Sequence, residues 1–81
     1  MSKEEREAKQ QAARVAADHA YAGAVRRLLL VKPGDYTQMS EAKRLVGTTT
    51  SAMRRAWGGD AEGQMHAIYR NILSAVRGVA A

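Results

Sequence analysis

The chain has 81 residues, a formal net charge of +5, two histidines, one proline, no phenylalanine and no cysteine. Disulfides and cysteine-based zinc sites are therefore excluded, and two histidines make a thin set of metal ligands, so no metal or cofactor is expected. No apolar run approaches the roughly 18 residues of a membrane span, and a domain this small buries only about 60–65 % of its unfolded surface, so a homodimer without a membrane partner is expected.

Abundant Ala, Arg and Glu and the lack of alternating apolar stretches predict an all-α fold: one domain over residues 1–81, a compact bundle of about four helices containing a helix-turn-helix. Ser2 with Glu5 three residues on is a capping-box pattern, and acids in the first turn suit the positive end of the helix dipole. A first helix is expected over residues 1–31. Its alanine-rich first half is weakly apolar; its second half carries Tyr21, Ala24, Val25, Leu28 and Leu29. Such a helix spans about 42 Å, so its first two turns are expected to project, fray or pack on a second chain. Gly23 is a candidate bend. The N-terminus is charged and leads into no apolar core, which argues against a secretory signal and, with the lack of cysteine, for a cytoplasmic location.

Lys32-Pro33-Gly34-Asp35 is a helix breaker. A second helix is expected to start near Tyr36, capped by Asp35 or Thr37, and to end at Gly47. Thr48, Thr49 and Thr50 then offer hydroxyl caps for a third helix ending at Trp57, which makes 36–57 the helix-turn-helix. Asp60, just after Gly58-Gly59, is the expected N-cap of a C-terminal helix over 60–79, with Met65, Ile68, Tyr69, Ile72, Leu73, Val76 and Val79 as its apolar stripe. The expected core is Leu28, Leu29, Leu45, Val46, Met53, Trp57, Ile68, Ile72, Leu73 and Val76, with Trp57 at the junction of the last two helices.

The positive charge is localised. Residues 26–55 hold seven bases against Asp35 and Glu41, an excess equal to the whole net charge; bases and acids cancel on either side. A local basic excess attracts polyanions and steers their approach. In a helix-turn-helix the second helix reaches base edges with its N-terminal residues and one outward face. Those positions are Thr49, Thr50, Ser51, Arg54 and Arg55. Lys43 and Arg44 are placed to hold backbone phosphates, with Arg26, Arg27 and Lys32 extending the clamp. Catalysis finds little support: His19 and His66 stand far apart, Asp18 and His19 point about 100° apart on a helix, and no serine lies in a recognisable nucleophile turn. An enzyme is not expected.

Glu41-Ala42, Gly47, Met53-Arg54-Arg55 and Trp57 resemble the helix-turn-helix of excisionases and mercury-resistance regulators, without the β-hairpin wing that follows in that type. The resemblance implies DNA binding through the helix after Gly47. The expected function is that of a small basic regulator of transcription that contacts duplex DNA, as a dimer on paired half-sites. The alternative class is a small helical protein-interaction module, of the phage or mobile-element inhibitor or adaptor kind, that binds a larger protein. An RNA-associated helical protein ranks third, since few aromatics are offered for stacking on single strands.

Overall fold

The computed structural model describes residues 2–80, with side chains through residue 78, and every regular element among them is helical. Helix α1 spans Lys3–Leu29, and the Ser2 hydroxyl oxygen accepts the Glu5 N–H at 3.2 Å, as the capping-box pattern predicts. The chain leaves α1 at Leu30 and turns through Pro33 and Gly34, whose φ of 89° suits a residue without a Cβ. Helix α2 spans Tyr36–Trp57, with the Asp35 carboxylate accepting the Gln38 N–H at 3.1 Å. Gly58, at φ 59°, ends it. A 3₁₀ turn over Gly58–Asp60 then runs straight into α3, Ala61–Ala80. Asp60, expected as a cap, makes no capping hydrogen bond among the described residues.

The expected turn at Gly47 is absent. Helix α2 runs unbroken through Gly47-Thr48-Thr49-Thr50, so residues 36–57 are one 22-residue helix, not a helix-turn-helix, and the bundle has three α-helices rather than about four. Two causes are visible. The apolar stripe stays in phase across Gly47: Ala42, Thr49 and Met53 are all buried, at helical spacing. The hydroxyls, instead of capping a new helix, donate backward within the existing one. Thr48 donates to the Arg44 carbonyl, Thr49 to those of Leu45 and Val46, and Ser51 to that of Gly47. An interior glycine costs about 1 kcal/mol relative to alanine, less than burying the Met53 side chain recovers.

The core is built from smaller residues than expected. Ala17, Tyr21, Ala24, Val25, Ala42, Met53, Ala61, Met65 and Ile72 are buried. Leu28, Leu29, Val46, Trp57, Ile68, Leu73 and Val76 are half-buried, and Leu45 is 37 % exposed. Alanines at the contacts let the helices approach closely, which displaces the larger aliphatic side chains to the margins. The side chain of Val79 lies outside the described residues. Residues 2–13 are exposed on all sides, so the first part of α1 projects, and α1 carries no break at Gly23. The result is an elongated molecule, 51 × 26 × 17 Å, with a radius of gyration of 14.7 Å against about 12 Å for a compact chain of this length.

One polar cluster ties all three helices. The Asp18 carboxylate accepts the Trp57 indole N–H at 2.9 Å and the Gln64 amide at 3.0 Å. One turn earlier on α1, the Arg14 guanidinium lies over the Trp57 ring, 4.7 Å from its centroid, and its Nε donates to the Ala56 carbonyl at 3.1 Å. Arg14 thereby satisfies one of the last carbonyls of α2, at the negative end of that helix.

Two stability measurements check these assignments. Nothing lies within 4 Å of a Cβ built on Gly47, so Gly47→Ala should raise stability by about 1 kcal/mol and the melting temperature by about 4–8 °C. A lower melting temperature would mean that the glycine serves a turn. Asp18→Ala leaves the half-buried Trp57 and Gln64 donors without their acceptor and should cost about 2 kcal/mol in urea unfolding; a change below a few tenths would mean that the cluster does not hold the helices together.

Candidate nucleic-acid interface

The face of α2 opposite Ala42 and Met53 points to solvent. Arg44 and Arg55 are exposed on it, and Lys43 and Arg54 are exposed on a neighbouring row about 100° round the helix. Eleven residues is three turns plus about 20°, so Lys43 stands in line with Arg54 and Arg44 in line with Arg55, about 16–17 Å apart along the axis. Between the two pairs the exposed surface is low, because Gly47, Thr48 and Ser51 are small. The structure thus brings four of the expected side chains into two adjacent rows on the exposed side of α2, which together form a broad basic ridge.

It does not bring all of them there. Thr49 is buried at 6 % exposure with its hydroxyl bound to its own helix, so it is removed from the interface. Ser51 is exposed, but its hydroxyl already donates to the Gly47 carbonyl. Arg27 is held at 2.9 Å by Glu41 and at 3.0 Å by the Gln38 side chain, where it pins the end of α1 to the start of α2. Arg26, its exposed neighbour, lies on α1 and about 100° round the helix from Arg27. Arg54 meets Glu62 at 3.2 Å, with both side chains largely in solvent; such a pair is weak and readily exchanged for another anion. Lys43, Arg44 and Arg55 have no carboxylate within 4 Å among the described residues.

Thr50 behaves differently from its neighbours. Its hydroxyl makes no hydrogen bond among the described residues, and it lines a cleft of about 300 Å³ between α2 and α3. Arg54, Glu62, Met65, His66 and Tyr69 form the rest of its walls, and Tyr21, from α1, reaches it from the core. The sequence singles out Thr50 and Arg54, and offers Asp60 and Glu62 as solvated partners of Arg54-Arg55, of which the Arg54–Glu62 pair forms; it does not point to Tyr21, Met65, His66 or Tyr69. The available signal is the i,i+4 spacing of Thr50 with Arg54 and of Glu62 with His66, which puts each pair on one side of its helix.

Among the described residues no group of three His, Asp or Glu side chains is placed to hold a metal, and no helix is long and apolar enough to cross a membrane. Comparison with protein-family models, with curated proteins and with solved structures found no match.

Proposed function

We propose that this protein binds nucleic acid through its phosphate backbone, with the outward ridge of α2 as the contact surface and duplex DNA as the target. The observation that supports this reading most is the placement of Lys43-Arg44 and Arg54-Arg55 three turns apart in two exposed, axially aligned rows of α2, three of the four without a carboxylate partner among the described residues. The small residues between the pairs let a phosphate chain approach the helix closely. Base reading by Thr49 is no part of this proposal, because that hydroxyl is turned inward. The contact is one of charge, so it steers association and positions the partner rather than selecting a sequence.

A second reading, self-association through α1, is favoured by the projection of residues 2–13, all exposed. A helical stretch of that length without tertiary contacts is marginal in water. Beside it, a shallow groove between α1 and α2 is lined by Ala13, Ala16, Ala20, Ala52 and Ala56. Either a second copy or another protein's helix would cover this surface, which is the form the protein-interaction alternative now takes.

Each reading has its measurement. In fluorescence anisotropy with a labelled duplex, Lys43→Ala/Arg44→Ala and Arg55→Ala should each weaken binding with the helical circular dichroism unchanged. Each should also lower the log–log salt slope by roughly one for every phosphate no longer neutralised. Undiminished binding in both would sink the ridge assignment. For self-association, light scattering over a range of concentrations should show a dimer for the full chain and a monomer once residues 2–12 are removed; a monomer throughout would refute it.

A further inference from the structure

We infer that the cleft between α2 and α3 is a binding subsite for a phosphate dianion, held by the hydroxyls of Tyr21 and Thr50 and the guanidinium of Arg54, with Glu62 as an internal anion that the ligand displaces. Tyr21 is the decisive residue. Its side chain is more than nine-tenths buried, yet its hydroxyl makes no hydrogen bond among the described residues. No buried side-chain oxygen is left unsatisfied among them, so the hydroxyl opens into the cleft that Tyr21 lines. A phenol whose ring is packed in the core and whose hydroxyl reaches the cleft is fixed in direction and can donate to a ligand bound there.

The rest of the lining supplies what a phosphate needs. Thr50 has a second unused hydroxyl, while the neighbouring Thr48, Thr49 and Ser51 have spent theirs on backbone carbonyls. Arg54, one turn on, offers a planar fork that suits two phosphate oxygens at once. His66 and the half-exposed phenol of Tyr69 complete the wall. Burial first, then the Glu62 carboxylate, then Tyr69, holds the Tyr21 hydroxyl above its ordinary value of 10.0, so it stays a protonated donor at neutral pH. Glu62 now occupies Arg54 at 3.2 Å through an exposed, weak pair. A dianion with three acceptor oxygens competes well for that guanidinium, because it also reaches hydroxyls that hold no other partner.

Two sources share this chemistry: a free phosphate and the 5′-phosphate at the end of a nucleic-acid strand. For the second source the inference rests on the reading of α2 as a nucleic-acid surface; for the first it stands alone. The test uses the full chain. Inorganic phosphate is titrated while backbone N–H signals are followed by NMR, and a labelled duplex is compared with and without a 5′-phosphate by anisotropy. Shifts should centre on residues 50, 54, 62 and 66. Tyr21→Phe, which keeps the ring, should weaken phosphate about tenfold, and Glu62→Gln should tighten it severalfold. Thr50→Val repeats the test should Tyr21→Phe fail to fold. Tighter binding of the 5′-phosphorylated duplex, lost in the same variants, assigns the strand end. Phosphate binding with that variant dependence but no 5′ preference assigns the free ion. Absence of shifts at these residues, or affinities that Tyr21→Phe, Thr50→Val and Glu62→Gln all leave unchanged, overturns the subsite. The ridge is judged separately, because its variants Lys43→Ala, Arg44→Ala and Arg55→Ala change no residue that lines the cleft.

Discussion

The Asp18 carboxylate is the point on which the arrangement of this molecule turns. It draws in the indole N–H at the end of α2 and the amide of Gln64 near the start of α3, so one side chain of α1 fixes both other helices. Arg14 closes the same junction from one turn away, over the indole ring and onto the Ala56 carbonyl. A helix held at one end by a side chain of defined direction is fixed in rotation as well as position. With Trp57 turned toward Asp18, the 100° step of the helix carries Met53, Thr49 and Ala42 inward and leaves Arg44, Ser51 and Arg55 outward. The ridge is thus a consequence of the junction, although no ridge residue takes part in it.

The need for such a junction follows from composition. Four of the nine buried apolar side chains are alanines, and Met53 is the largest that is fully enclosed. Alanine contacts permit close packing but bring little apolar area per residue, so dispersion and transfer terms alone specify the helix phases weakly. Directional hydrogen bonds from a half-buried carboxylate supply the missing specificity, and bonds to an ionised acceptor are stronger than neutral ones. The pairing of Arg27 with Glu41 and Gln38 does a similar service at the opposite end of α1 and α2, with less effect on stability because it is exposed.

Local signals in the sequence reported the fold well and long-range ones poorly. Ser2, Pro33-Gly34, Asp35 and Gly58 act within a few residues of themselves, and each stands where its chemistry places it. Gly47 misled because Gly followed by three threonines fits two structures equally: a helix end with a fresh cap, or a helix interior whose hydroxyls bond backward. What decides between them is the burial of Thr49 and Met53 against other helices, which local chemistry cannot report. The Asp18–Trp57 contact spans 39 residues and Asp18–Gln64 spans 46, so neither leaves a mark in any short window. Charge localisation survived the absence of the turn because it depends on position along the chain, and a continuous helix aligns residues 11 apart.

Continuity of α2 also changes what Arg54 is. On a short second helix it would be one of several equivalent outward arginines. On the long helix it lies at the edge of the ridge nearest α3, where Glu62 meets it from the next helix. The guanidinium therefore belongs to two surfaces: the row shared with Lys43 on α2, and the cleft shared with Thr50, Tyr21 and His66. In the proposed subsite, a ligand exchanges with Glu62 at the Arg54 guanidinium before it reaches the Tyr21 hydroxyl. Discrimination by an internal competitor favours ligands with several acceptor atoms over those with one, so the phosphate site proposed for the cleft and the phosphate contact proposed for the ridge share one side chain, Arg54.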